Sequence, residues 1–323
     1  MKAAVFSRYG DNDVVKVADD AAMPVPGPQD VLIAVRAASV NPVDWKVRSG
    51  EIKFITGSRF PKVLGSECAG EIAGIGSRVT GFKLGDEVIA WPGARRLGAF
   101  AQLAVAAKAS ICEKSQQLSF EQACCLPIAG LTALQALRDK GQIAYGKKVL
   151  INGASGGVGH FAVQIAKIFG AETTAVCSAG NADFVRDLGA DHVIDYRTQD
   201  FTKGDTRYDI VFDAVANRSF KEVKPVLSTY GMYVSTLPSA GVIFNQFVSG
   251  LFTKRKAATI MVRPGVADIA WMQEQITAGR IRVAIDRLYP LDQVKEALAY
   301  SETGTARGKI VLHIPRPGTP QLP

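Results

Sequence analysis

Residues 148–167, KVLINGASGGVGHFAVQIAK, most constrain what this chain can fold into. Val149, Leu150 and Ile151 make an apolar run of the kind that forms a buried parallel strand. A glycine-rich turn follows, after which Val158, Ala162, Ile165 and Ala166 recur at helical spacing. Strand, glycine turn and helix together open a dinucleotide-binding βαβ unit. A turn without side chains lets a pyrophosphate approach the backbone, and the helix N-terminus offers free N–H groups and partial positive charge. In register with G-x-G-x-x-G stand Ala154, Gly156 and Gly159, so an alanine takes the first glycine's place. The same stretch satisfies a second pattern. Gly153-Ala154-Ser155-Gly156-Gly157 fits G-x-S-x-G, the nucleophile elbow of α/β-hydrolases, which also lies between strand and helix.

The chain changes texture on either side of about Ser119. Before it, short apolar runs at 2–6 and 14–17, a long alternating run at 31–40, a glycine-spaced stretch at 65–76 and a turn and strand at 82–90 predict a compact, partly open barrel. Asn41-Pro42 begins a short helix that Gly50 stops. After Ser119, helices are expected at 120–126 and 131–140. Strands at 149–152, 173–177, 192–195, 209–213 and 230–235 then alternate with helices at 158–169, 182–188 and 218–227. Such alternation of buried strands with helices predicts a doubly wound parallel sheet, hence an α/β protein. A further strand at 257–262, helices at 267–278 and 291–301 and a last strand at 309–314 complete the pattern. Residues 243–252 are irregular and apolar, and 315–323 read as a disordered proline-rich tail.

Composition narrows the class. With 47% apolar and 21% charged residues, the chain can bury ample cores. The start resembles no signal peptide, and the longest apolar stretch, 126–137, is interrupted by Thr132 and Gln135, so a soluble intracellular protein is expected, cytoplasmic or else soluble or peripheral in an organelle. The five cysteines form no C-x-x-C pair and are odd in number, which points to reduced, buried thiols. None of the three histidines stands at zinc-like spacing from a cysteine. The net charge of +8 is scattered, apart from Arg95-Arg96 and Lys254-Arg255-Lys256. That pattern allows weak attraction to an anionic cofactor or a membrane surface and matches no nucleic-acid module.

Seven segments carry a resemblance: Ser39-Val40-Asn41-Pro42-Val43-Asp44, Gly65-Ser66-Glu67-Cys68-Ala69-Gly70, Gly85-Asp86-Glu87-Val88, residues 126–133, Gly156-Gly157-Val158-Gly159, Leu188-Gly189-Ala190-Asp191 and Gly308-Lys309-Ile310-Val311-Leu312. Over residues 1–314 the chain resembles the zinc-independent branch of the medium-chain dehydrogenase/reductases, the quinone oxidoreductase-like proteins with their alkenal and enone reductases. The resemblance implies a GroES-like β-barrel domain from 1–118 and 266–323, with a Rossmann NADPH-binding domain, 119–265, inserted. Zinc members bind the catalytic metal through Cys, His and Cys. Aligned on the flanking glycines, this chain offers Asn41, Ser66 and Ala129, and the four-cysteine lobe expected after Val88 is missing. No metal is therefore expected. Without a Lewis acid, alcohol oxidation has nothing to stabilise an alkoxide. Reduction of a conjugated C=C–C=O or a quinone by direct hydride transfer remains.

An NAD site usually carries an acid about twenty residues past the glycine turn. Here Ser178-Ala179-Gly180-Asn181 has none, and Ser178 and Asn181 can donate to a 2′-phosphate, so NADPH is expected. The resemblance adds Tyr196 at that phosphate, Lys46 toward the nicotinamide end, Asn41 near its ribose and Thr132 near its carboxamide, with Ser155, Gly156, Gly157, Val158, Gly159, Leu237, Gly308 and Lys309 as further cofactor contacts. No strong general acid is evident. Asn41, Lys46 and Thr132 are the candidates nearest the chemistry, and Trp45, Phe54, Trp91 and Phe244 are candidates for an apolar substrate mouth. The apolar run at 257–262 reads as a sheet edge that would pair in a homodimer. Two alternatives stay open: a hydrolase using Ser155, for which His160 and His313 are poorly placed bases, and a non-enzymatic relative that only binds NADPH.

Overall fold

A computed structural model describes residues 1–237 and 254–316. Phe244 and the 243–252 stretch lie outside the described residues, as do residues 317–323 of the proline-rich end. In chain order the strands are β1 (Ala3–Phe6), β2 (Val15–Ala18), β3 (Asp30–Val40), β4 (Lys62–Val63), β5 (Cys68–Ile75), β6 (Glu87–Ala90), β7 (Leu103–Ala107), β8 (Ile111–Glu113), β9 (Lys148–Asn152), β10 (Glu172–Cys177), β11 (His192–Asp195), β12 (Tyr208–Asp213), β13 (Leu227–Ser235), β14 (Lys256–Thr259), β15 (Ile285–Pro290) and β16 (Lys309–His313). They fall into two units. One holds Met1–Ile128, Pro264–Thr277 and the described residues from Ile285 onward; the other holds the described residues of Ala129–Arg263 together with Ala278–Ala284.

The first unit is built on β3. Its alternation puts Val31, Ile33 and Val35 into the core, and each such burial stabilises by about 1.5–3 kcal/mol. β3 pairs with β5, β7 and β16, giving a sheet in the order β15-β16-β3-β5-β6-β8, and a small antiparallel sheet β2-β1-β4 completes the unit. This is the barrel unit of the molecule. β15 carries no alternation, because Asp286 and Arg287 separate Ile285 from Leu288. As an edge strand with only β16 beside it, it tolerates that pattern, which makes it invisible to period-two reading.

The second unit is a six-stranded parallel sheet in the order β11-β10-β9-β12-β13-β14, the doubly wound Rossmann arrangement. Val149, Leu150 and Ile151 of β9 are fully buried between β10 and β12. The expected helix at 218–227 is shorter than its composition suggests. Phe220–Val223 is helical, Lys224–Val226 tightens into a 3-10 turn, and β13 begins at Leu227. Pro225 has no N–H to continue the helix, which accounts for the break. No helix among the described residues is long and apolar enough to cross a membrane.

The turn after β9 is tighter than its motif register implied. The left-handed residue is Gly153, at φ +79°, and Ala154 is simply buried. A Cβ on Gly153 would also come within 2.5 Å of Val215 Cγ2. A Cβ on Gly159 would lie 2.1 Å from the Gly153 carbonyl oxygen. Only glycine at both positions lets the helix Gly159–Ile168 begin this close to β9.

Candidate active site

In the parallel-sheet unit, the expected cofactor residues gather at the carboxyl ends of β9, β10 and β11, where doubly wound sheets bind ligands. Ser155 follows β9 on the glycine turn, and its Oγ accepts a hydrogen bond of 3.0 Å from Asn181 Nδ2. This bond ties the turn to the segment after β10. Gly156 leaves space above the turn, since a Cβ there would meet only the Gly153 oxygen, at 3.4 Å. Among the described residues no acceptor takes the N–H of Gly157 or Val158, so these groups are available to an anion. Tyr196 follows β11, donates its N–H to Cys177 O and leaves 55% of its surface exposed. Leu237 ends the described part of the chain after β13, with its N–H on Ser235 Oγ. Thr132 is buried on the helix Leu131–Gln135.

Asp213, at the end of β12, shapes the neighbouring loop. Its carboxylate accepts from Asn152 Nδ2, from the N–H groups of Val215, Ala216 and Arg218, and from the Tyr233 hydroxyl. These bonds hold Ala216 in the left-handed region, at φ +60°.

The barrel unit holds a second cluster, made of buried polar side chains. Asn41 precedes the helix Pro42–Ser49, and Asp44 Oδ2 caps that helix by accepting the Asn41 N–H at 2.8 Å. The Asn41 side chain turns the other way. Its Nδ2 donates to Glu67 Oε1 at 2.6 Å, and its Oδ1 accepts from Lys309 Nζ at 2.6 Å. Lys309 also faces Glu67 Oε1 at 3.5 Å, and Glu67 Oε2 accepts the Ile128 N–H at 2.6 Å. Ser66 Oγ donates to Asp44 Oδ1 at 2.6 Å. All five side chains are buried. Burial pushes the Asp44 carboxyl up to about 7, and the negative Glu67 nearby adds to this; the Ser66 hydroxyl, the Asn41 N–H and Lys309 act in the opposite direction. Burial likewise pushes the adjacent Cys68 thiol up to about 12, which makes it inert.

The other expected residues lie outside this hydrogen-bonded cluster. Lys46 lies on the same helix with its ammonium over the Trp45 ring, 5.4 Å from the centroid. Gly308 leads directly into Lys309 and β16. Trp45 packs against the barrel core, Trp91 is half-buried, and Phe54 is 80% exposed. The nucleophile-elbow alternative loses its base. Ser155 is partnered by an asparagine, while His160 Nδ1 lies 3.1 Å from the Gly156 carbonyl and His313 Nδ1 lies 3.4 Å from Glu121. Asp44 and Glu67 went unassigned on sequence alone, although both stand inside segments quoted for other reasons. A carboxylate in an apolar, glycine-spaced strand entry such as Glu67 is itself a signal, because burial demands a cationic partner.

A doubly wound sheet with a glycine turn on its central strand, joined in one chain to a GroES-like barrel, defines a two-unit dehydrogenase/reductase that uses a nicotinamide cofactor. Residues 27–123 match the alcohol dehydrogenase GroES-like domain, and residues 188–312 match the zinc-binding dehydrogenase domain. The chain is 33% identical to the chloroplast envelope quinone oxidoreductase homologue of Arabidopsis thaliana, over 97% of this chain and 98% of that protein. It is 34% identical to 2-methylene-furan-3-one reductase of Solanum lycopersicum, over 97% and 79%. The solved quinone oxidoreductase of Coxiella burnetii superposes with a TM-score of 0.89 at 32% identity, covering 98% of this chain and 99% of that one. The chain belongs to the quinone oxidoreductase branch of the medium-chain dehydrogenase/reductase family and is an NAD(P)H-dependent oxidoreductase.

The Asp44 cluster makes stability depend on pH. Folding raises this carboxyl from an unfolded value of 3.8 to about 7, so the folded state keeps a proton that the unfolded state gives up. Its contribution is therefore fully present below pH 3.8 and is lost as pH rises through about 7, a change on the order of 4 kcal/mol. Urea unfolding at pH 5 and pH 8 should show the wild type losing stability across this interval. In Asp44→Asn, which keeps an acceptor for the Asn41 N–H, the loss should shrink to a small residue. An equal loss in both proteins would remove Asp44 as its source.

Proposed function

We propose that this protein reduces α,β-unsaturated ketones and aldehydes, or quinones, with NADPH and without a metal. One observation carries the metal-free part. The side chains that stand where zinc relatives place ligands are engaged within the protein: Ser66 gives its hydroxyl to Asp44, and Asn41 presents its carbonyl oxygen to the Lys309 ammonium. A dication at Asn41 would meet that ammonium at short range, where like charges repel strongly in a buried site. The names of the relatives support the substrate class, since 2-methylene-furan-3-one is a conjugated enone and the Arabidopsis and Coxiella proteins are named for quinones.

When bound, the reduced nicotinamide supplies a hydride to the β-carbon of the conjugated system or to the equivalent quinone position. The chain's residues have separate tasks in this reading. Ser155, Gly156, Gly157, Val158 and Gly159 hold the pyrophosphate, largely through backbone N–H groups. Ser178, Asn181 and Tyr196 take the 2′-phosphate. Thr132, Leu237, Asn41, Lys46, Gly308 and Lys309 hold the nicotinamide half. The product oxygen or α-carbon is protonated by water or a nearby hydroxyl, and the rate rests mainly on positioning, worth up to ~7–11 kcal/mol in favourable cases.

A panel of enones, enals, quinones and saturated alcohols, followed by nicotinamide absorbance, tests this reading on protein analysed for zinc. Conjugated acceptors should be reduced by zinc-free protein, with kcat/KM higher for NADPH than for NADH. Ala179→Asp, which sets a carboxylate against the 2′-phosphate, should shift the preference toward NADH. Turnover of saturated alcohols alone, or activity that tracks zinc content, would contradict it.

The same reading includes a homodimer. Among the described residues β14 is the last strand of its sheet, and Met261 just beyond it is 66% exposed, so this edge could pair with that of a second copy. Sedimentation at micromolar concentration should give a dimer; a monomer throughout would exclude that pairing.

A further inference from the structure

We infer that Arg197 is the cation that recognises the 2′-phosphate and sets the preference for NADPH, an inference that rests on the NADPH reading above. The segment after β10 has a conspicuous gap in its chemistry. Ser178, Ala179, Gly180 and Asn181 offer hydroxyl and amide groups but no positive charge, whereas a phosphate dianion calls for one.

The parallel pairing of β10 with β11 supplies it. Cys177 sits opposite Asp195, and the Tyr196 N–H reaches the Cys177 carbonyl at 3.2 Å, so the chain leaving β11 passes alongside Ser178. Arg197 is the next residue. Its guanidinium lies over the exposed Tyr196 ring, 5.9 Å from the centroid, and among the described residues it forms no ion pair or side-chain hydrogen bond.

The neighbouring charges are already engaged. Asp195 Oδ1 accepts the backbone N–H of Arg197 at 3.0 Å, which pins the turn. Asp183, on the helix after Asn181, pairs with Arg186 at 2.9 Å. Asn181 is fastened to Ser155 at 3.0 Å, so the phosphate-facing segment is anchored to the glycine turn. A guanidinium held beside the Tyr196 ring can present two N–H groups to two oxygens of one phosphate, a bidentate contact that lysine cannot reproduce. NADH presents a ribose hydroxyl at this position and gains little from the guanidinium.

The test uses ligands that isolate this half of the cofactor. The full chain is titrated calorimetrically with 2′,5′-ADP and with 5′-AMP, which differ only in the 2′-phosphate, at two salt concentrations. The wild type should bind 2′,5′-ADP more tightly, and added salt should weaken that ligand more than 5′-AMP. Arg197→Gln should weaken 2′,5′-ADP at least tenfold, leave 5′-AMP unchanged and flatten the salt dependence; Arg197→Lys should recover part of the loss. A wild type that binds both ligands equally would overturn the NADPH reading itself. A wild type that prefers 2′,5′-ADP, with Arg197→Gln keeping that preference, would overturn the Arg197 assignment alone. So would equal weakening of both ligands in Arg197→Gln, because the lost charge must act through the 2′-phosphate.

Discussion

The Lys309 ammonium, buried against Asn41 and Glu67, is the interaction on which the barrel unit turns. A buried charge is expensive to desolvate and persists only where its neighbours satisfy it. Here a single amide serves both signs, since Asn41 donates to the carboxylate and accepts from the ammonium. The arrangement joins the start of the helix Pro42–Ser49, the entry to β5 and the first residue of β16, segments up to 268 residues apart in the chain. Asp44 extends it through Ser66 and caps the helix at the same time. Removing any one member would leave a charge or a donor stranded in a dry interior. The cluster thus ties together three segments of the barrel, with Asn41 and Ser66 engaged by Lys309, Glu67 and Asp44.

The parallel-sheet unit depends on a different constraint, close approach of backbone. Gly153 and Gly159 let the helix after β9 start almost on top of the strand, which aims its free N–H groups at the carboxyl end of the sheet. Nothing in this turn requires a side chain to touch a ligand. Around it, the Ser155–Asn181 bond ties the turn to the segment after β10, and the stretch at 178–181 carries no acidic side chain.

Much of this architecture was legible in the sequence because it rests on local rules. The apolar runs of β9, β10 and β12 are long and sit between helical repeats, so alternation alone identifies a parallel sheet. The helix from Pro42 announces itself with Asn at its start and Gly50 at its end. The misses have physical causes as well. β15 is an edge strand without alternation, and Pro225 ends a helix whose composition otherwise looked continuous. The motif register placed the first turn residue at Ala154, whereas the backbone needs its left-handed residue one position earlier. The pairing of Asn41 and Glu67 with Lys309 could not be read from spacing, since only folding brings such distant residues together.

In the proposed reaction, hydride reaches a conjugated acceptor directly, with no metal holding its oxygen. The most direct measurement follows the label. An α,β-unsaturated ketone is reduced with NADPH carrying deuterium at the transferable C4 position, using protein shown by elemental analysis to be free of zinc, and the product is read by NMR. The expected product carries one deuterium on the former β-carbon, an intact carbonyl, and a proton from solvent on the α-carbon. Deuterium on the carbonyl carbon, or product formed only after zinc is restored, would contradict it.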